Sequence, residues 1–243
     1  MDYKINSRYE DKFFVEKYVA LWAYGYLNGI GYCEGLYRTI NELGFSCLKE
    51  NGKYNILDIG CGVGRTASSY ANFFNNSSII AIDNSQMMLD YARRIVKTKE
   101  KIILSMENLG FAEPFIINGF GLVNVEFQKR TLEEFYNSIS HTKFDLITSV
   151  NFIDRIEDVE NSFRIVFDLL CKNGSYIFAS PLNFSNRNNW DFYSSVDSIK
   201  SIVKNIGFYI DVCFDSLVYK ELLDKRGAIE EYPTVVMKLI KLQ

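Results

Sequence analysis

The sequence predicts an α/β fold, an open sheet of seven strands with flanking helices, entered through an N-terminal helical lobe. Three observations predict it. Beyond Asn51-Gly52, short β-rich runs alternate with helical segments, the pattern of strands joined by crossover helices. Glycines at 60, 62 and 64 sit between the first of these runs and the helix after it. A chain of 243 residues, 48% of them hydrophobic, has the material for one large core.

Residues from about 9 to 49 read as helical. Tyr18, Trp22 and Tyr26 fall at i, i+4 and i+8 and make one aromatic stripe. Gly29 and Gly31 break that helix, and residues 34–48 read as a second one. Residues 1–53 thus form the lobe, or lid, and residues 54–243 the sheet domain. The expected strands are 55–59, 79–82, 122–128, 144–149, 175–179, 209–214 and 234–240. Helices are expected at 65–74, 85–96 and 161–170. Residues 97–121 are long for a helix-to-strand link. They carry Pro114, two glycines near their end and the apolar run Phe115-Ile116-Ile117, and they read as an insertion near the ligand-binding edge of the sheet.

Composition excludes several functions. The single histidine, His141, excludes any site that needs two, and no metal site is expected. The five cysteines, Cys33, Cys47, Cys61, Cys171 and Cys213, show no CxxC spacing, which argues for a reducing compartment and against a disulfide framework. With Lys plus Arg at 27 and Asp plus Glu at 30, the net charge is −3, and no basic run offers a footprint for nucleic acid. The charged start, MDYKINSRYEDK, is unlike a secretory signal. The apolar stretch 18–33 is interrupted by Gly25, Asn28, Gly29 and Gly31 and is too short and polar to span a bilayer. The expectation is a cytoplasmic protein, monomer or homodimer, with a small-molecule substrate and neither membrane nor nucleic-acid partner.

The strongest motif is ILDIGCGVGR, residues 56–65. An apolar strand delivers Asp58, then glycines at alternate positions, then a helix. Glycines suit a backbone that turns sharply and lets a ligand approach without a Cβ in the way. The spacing departs from the dinucleotide fingerprint GxGxxG, because Arg65 stands where its third glycine would be. That disfavours a nicotinamide enzyme. Asp83, in AIDNS, ends the next strand, where a carboxylate can accept both hydroxyls of a ribose. Ligands in such sheets bind outside the carboxyl ends of the strands, so Asp58, the glycine loop and Asp83 converge on one crevice.

DxGCGxGR followed by an Asp at the next strand end resembles the class I S-adenosylmethionine-dependent methyltransferases, over roughly residues 54–243. The resemblance implies a Rossmann-like seven-stranded sheet with S-adenosyl-L-methionine as cofactor. It implies that Gly60, Cys61 and Gly62 lie against the methionine part, with Asp58 bracing the loop and the cofactor's amino group. Asp83 would hold the ribose, and Asn84 and Met88 would lie near the adenine. Where many members carry an acid after the third strand, this chain has Thr131 and then Leu132, whose backbone could serve instead. Val150 would border the cofactor.

Just past the fourth strand, NFIDRIED is similar to a segment of the mercaptohistidine N-methyltransferase domain of ovothiol synthesis. The insertion before the third strand and the Ser180-Pro181 pair agree with that narrower resemblance. It implies methylation of a small-molecule amine or imidazole nitrogen. Asn151 and Asp154 are the candidate catalytic residues, placed to orient a nitrogen lone pair and take up positive charge. Asn151 also suits a turn or cap, and Asp154 an ion pair with Arg155. Tyr18, Trp22, Tyr26, Arg155 and Trp190 are candidate substrate residues. The aromatic stripe also reads as plain core packing, and Trp190 also reads as part of a surface loop. O- or C-methylation, and a catalytically silent cofactor-binding subunit, are the rival readings.

Overall fold

The computed structural model describes residues 8–242. The strands in chain order are β1 (Asn55–Ile59), β2 (Ser78–Asp83), β3 (Lys101–Leu104), β4 (Phe115–Asn118), β5 (Val125–Lys129), β6 (Phe144–Val150), β7 (Leu170–Ser180), β8 (Phe208–Leu222) and β9 (Ile229–Lys241). The α-helices are α1 (Lys12–Lys17), α2 (Glu34–Cys47), α3 (Arg65–Phe73), α4 (Gln86–Ala92), α5 (Leu132–Ser138), α6 (Val159–Leu169), α7 (Arg187–Tyr193) and α8 (Val196–Ile206).

Seven strands form the main sheet in the order β5-β2-β1-β6-β7-β9-β8. The first five in that order run parallel, and β9 and β8 close the far edge antiparallel. The chain winds outward from β1 to β2 and β5, then returns to place β6 on the other side of β1. The order therefore reverses between β1 and β6, and a crevice opens beyond their carboxyl ends. Burial on both faces accounts for the near-continuous apolar character of β1, whose Ile56 packs into one core cluster and Leu57 and Ile59 into the other.

The N-terminal segment belongs to the first of these clusters. Val15, Val19, Ala20, Leu21, Ala23 and Tyr24 are fully buried there alongside Ile56 and Ala67. It is not one continuous helix. After α1 come a π-helical stretch, Tyr18–Ala23, and a 3-10 turn, Gly25–Asn28, which ends at Gly29 in the left-handed region with φ 79°. Tyr24 donates its backbone N–H to the Val19 carbonyl at 3.0 Å, a five-residue reach that changes which side chains share a face.

Residues 97–121 differ from expectation. They hold the antiparallel hairpin β3–β4, where the sequence predicts an insertion without assigned strands. Ile102, Leu104, Phe115 and Ile117 turn into the first cluster, and Ile103 and Ile116 face outward. The hairpin covers the N-terminal segment: the Asn28 side chain donates to the Ile116 carbonyl and accepts from its N–H, both at 3.1 Å. The third main-sheet strand starts at Val125 rather than 122. Before it, the Asn124 amide donates to the Ala71, Phe74 and Ser77 carbonyls, which pins the chain under α3.

The last two strands run far longer than expected. β7 pairs with β9 only from Val235 to Ile240, with Ser180 opposite Val235. The remaining pairs, Leu217 with Thr234 through Leu222 with Ile229, overhang the carboxyl edge of the sheet as a two-stranded ribbon.

Helix α2 seats on α3 through Gly44. A Cβ at that glycine would lie 2.3 Å from the Tyr70 hydroxyl oxygen, and Tyr70 is itself fully buried. Alanine favours a helix interior by about 1 kcal/mol over glycine. Here Gly44→Ala is nevertheless expected to destabilise the protein by about 1–3 kcal/mol through overpacking. Urea unfolding checks this, and an unchanged or raised midpoint would contradict the α2–α3 packing.

Candidate active site

The crevice is a cavity of about 1110 Å³ at the carboxyl ends of β1, β2 and β6. That volume suits a nucleotide-sized ligand with a small second one. Its floor is the loop from β1 into α3. Gly60, Gly62 and Gly64 all hold positive φ, at 64°, 52° and 80°. Gly60 also needs its bare Cα, because a Cβ there would lie 2.9 Å from the Phe152 ring. The loop is fixed from beneath by the Cys61 N–H, which donates to the Ile82 carbonyl at 3.0 Å.

Asp83 ends β2 on the cavity wall, and its carboxylate accepts the N–H groups of Gly62 and Ser85, each at 2.8 Å. Burial pushes its carboxyl above the usual carboxylate range, and those amides pull it back. Asp58 lies behind the loop, 2% exposed, and does not line the cavity. Its two oxygens accept the Ala67 N–H at 3.1 Å and the Thr148 hydroxyl at 2.9 Å. Burial pushes it up to about 7, against those hydrogen bonds, and the nearby Asp83 raises it further.

Gly60, Gly62, Asp83, Asn84, Met88, Thr131, Leu132 and Val150 come together on the cavity wall, as do Tyr18, Trp22, Asn151 and Arg155. Ile59 and Ile82 add apolar surface between them. Thr131 has a structural duty as well. It is the N-cap of α5 in a full capping box, accepting from the Glu134 N–H at 3.2 Å while Glu134 accepts from the Thr131 N–H at 2.9 Å.

Besides Asp58, four candidates do not line the cavity. The Cys61 side chain packs inward and is 9% exposed. Tyr26 departs from the stripe because the helix changes form after Ala23; its ring lies instead 4.0 Å from the Arg65 guanidinium, which is paired with Glu34. Trp190 is 45% exposed on α7, away from the cavity. Asp154 is buried behind the wall, where the Ser180 hydroxyl donates to it at 3.0 Å and Arg155 lies 3.3 Å away. Burial raises its carboxyl, and Arg155 opposes that. Its contacts are to Arg155 and Ser180, and it does not line the cavity. Residues 97–121 contribute nothing to the wall either, because their apolar alternation turns them into the core under the N-terminal segment.

Asn151 is different. It follows β6 with φ 53°, held there by its N–H donating to the Ala179 carbonyl at 2.8 Å. A non-glycine residue in that region is strained, and such strain concentrates at functional sites. Its side-chain amide makes no hydrogen bond to a described residue, and Oδ1 is closed off from solvent without a partner.

Sequence reasoning missed the far wall. Phe14 and Lys17 from α1, and Tyr219, Glu221, Leu223, Glu230 and Tyr232 from the ribbon, all line the cavity. The ribbon is fastened over it where the Trp22 indole N–H donates to the Leu222 carbonyl at 2.9 Å. Among the described residues no cluster of three potential metal ligands occurs, and no helix is long and apolar enough to cross a membrane.

The features present fit S-adenosylmethionine. The glycine loop leaves an open floor, Asp83 offers a half-buried acceptor beside it, and Met88, Leu132 and Ile82 supply an apolar slot for a base.

Comparison with known proteins agrees. A family model described as a methyltransferase domain matches residues 50–207. The mitochondrial ubiquinone biosynthesis O-methyltransferase of Dictyostelium discoideum is 23% identical over 129 residues, 53% of this chain and 35% of that protein. This chain thus matches about a third of that relative's length. The YcgJ protein of Bacillus subtilis has a similar structure, with TM-score 0.56 at 15% identity, covering 85% of this chain and 99% of that one. So does the N-methyltransferase NodS of Bradyrhizobium japonicum, solved with S-adenosyl-L-homocysteine, with TM-score 0.53 at 11% identity over 86% and 87% of the two chains. At these identities the structural likeness speaks to the fold, and the family model to the membership. The chain belongs to the methyltransferase-domain family, that of the class I S-adenosylmethionine-dependent methyltransferases.

Proposed function

We propose that the protein transfers a methyl group from S-adenosylmethionine to an amine or imidazole nitrogen of a small molecule. The observation that carries this reading is Asn151, a strained residue on the cavity wall whose side-chain amide finds no partner among the described residues. Turned so that its oxygen faces the cavity, the amide accepts an N–H from a ligand nitrogen. The narrower sequence similarity of NFIDRIED to an imidazole-nitrogen methyltransferase supports the same acceptor.

The bound cofactor supplies a methyl group on a sulfonium, already activated for in-line displacement. The residues of this chain then bind, orient and exclude water. Asp83 and the Gly60–Gly62 backbone hold the cofactor. Tyr18, Trp22 and Phe152 wall the reacting end with aromatic surface. Asn151 aligns the acceptor nitrogen so that its lone pair points toward the methyl group. No strong base is needed for a neutral amine or imidazole, which is in keeping with the one histidine, His141, lying exposed in a loop away from the cavity. Oxygen methylation is the second reading, favoured by the match to an O-methyltransferase over 129 residues. Product mass after incubation with small amines, imidazoles and phenols separates the two.

Asp83→Ala is expected to weaken S-adenosylhomocysteine binding by about 10- to 100-fold, the worth of a charged hydrogen-bonding group. Calorimetry checks it, and unchanged affinity would remove the ribose role. Asn151→Gly keeps the left-handed backbone and deletes the side chain with its amide. It is expected to lower kcat on an amine acceptor by about 10- to 100-fold with no loss of thermal stability. Full turnover in that variant would end the proposed role.

Asp58 predicts a pH dependence. Its folded value of about 7 lies above its ordinary 3.8, so the folded state holds a proton that the unfolded state has released. Stability is therefore greatest below the ordinary value and falls as pH rises toward and through 7, by up to about 1.4 kcal/mol per pH unit. Urea midpoints of the ligand-free protein between pH 5 and 8 should decline in wild type and less in Asp58→Asn. Parallel slopes would contradict the assignment.

A further inference from the structure

The β8–β9 ribbon carries an arrangement that neither packing nor cofactor binding explains. Glu221 and Glu230 are register partners, directly across from one another. Like charges at such positions are destabilising. The neighbouring register pair shows the ordinary solution: Lys220 and Glu231 form an ion pair at 2.6 Å. Because side chains alternate along a strand, that ion pair lies on the opposite face of the ribbon. The cavity face instead presents Tyr219, Glu221, Glu230 and Tyr232 together.

We propose that this face, with Tyr18 and Trp22 opposite, is an anionic aromatic cage for an ammonium group carried by the methyl acceptor. The proposal rests on reading the cavity as the acceptor site of a methyltransferase. The Tyr219 and Tyr232 rings stack with centroids 6.1 Å apart, and Tyr18 meets Trp22 edge-on at 5.5 Å. Aromatic faces and carboxylates together bind a desolvated cation well. Tyr219 is 3% exposed. Burial and the facing Glu230 push the Glu221 carboxyl above the usual range, and the Tyr219 hydroxyl, with Lys17 and Arg8 farther off, draws it part of the way back. A bound cation relieves both effects.

Among the described residues two cations, Lys17 and Arg8, border the place without closing on either carboxylate. The Lys17 ammonium lies 5.1 Å from the Trp22 ring centroid. The Arg8 guanidinium lies over Tyr9 and Phe14, at 4.8 and 5.2 Å. Among the described residues none is within ion-pair distance of Glu221 or Glu230. The cage stands next to the reacting end, since a Cβ on Gly62 would lie 3.8 Å from the Tyr18 hydroxyl. An ammonium has no lone pair, so the caged group is not the atom that is methylated. The acceptor class is thus a small molecule with two functions, a cation for the ribbon and a neutral nucleophile for Asn151.

The test uses the full chain saturated with S-adenosylhomocysteine and two matched probes, phenethylammonium and neutral 2-phenylethanol. Calorimetry is expected to give at least tenfold tighter binding of the cation. Glu221→Gln should reduce that preference about tenfold, and Glu221→Gln with Glu230→Gln should abolish it. Equal affinity of the two probes for the unaltered protein would overturn the cage, as would a preference that survives in the double variant. The heat of S-adenosylhomocysteine binding reports whether each variant is folded; where one is not, the preference of the unaltered protein decides. A parallel methyl-uptake screen separates this idea from the nitrogen reading. An ammonium-bearing acceptor methylated on oxygen would overturn the nitrogen reading alone. A nitrogen-methylated acceptor without a cation would overturn the cage alone.

Discussion

One buried carboxylate holds the site's architecture together. Asp58 leaves β1 and accepts hydrogen bonds from the first turn of α3 and from Thr148 in the middle of β6. It thereby ties the two strands that flank the reversal of the sheet to the helix that starts at the glycine loop. The crevice owes its shape to that tie. The arrangement is costly, because the carboxylate is almost wholly removed from water and has Asp83 for a neighbour. One buried acid and one half-buried acid on either side of one loop make a region short of positive charge. A ligand carrying a sulfonium and an ammonium meets that shortage directly, so the same feature that strains the ligand-free fold favours the loaded one.

The parts of the site visible in the sequence are those encoded locally. Asp58, the alternating glycines and Asp83 lie within one strand–loop–helix–strand unit, and each has a reason that spans only a few residues. The strand positions 55–59, 79–82 and 144–149 were legible for the same cause: a strand buried on both faces is a short apolar run bounded by turns. The Thr131 capping box is also written in the sequence, as Thr-x-x-Glu, a local duty that stands beside the cavity position of the same residue.

What the sequence concealed is non-local. Nothing between 209 and 240 announces how far two edge strands run past their neighbour, since that length is set by where β7 stops. Glu221 and Glu230 look like unremarkable surface acids until the register sets them face to face. The stripe of Tyr18, Trp22 and Tyr26 assumed a constant helical pitch, and the passage from α-helix to π-helix to 3-10 turn removes Tyr26 from it. The hairpin inside 97–121 was hidden because its strands are four residues each and gain their burial from the N-terminal segment they cover.

That segment sets how ligands can come and go. A lid in the ordinary sense swings on a hinge, but here the residues over the cavity are continuous with the core: Val19 to Leu21 are fully buried, and Trp22 is bonded to the ribbon. Lifting them would unpack one whole layer of the molecule. On another stretch of the rim Glu157, Asp158, Asn161 and Asn183 border the cavity with polar side chains. The aromatic side is thus a fixed wall, built from the same layer that fills the core.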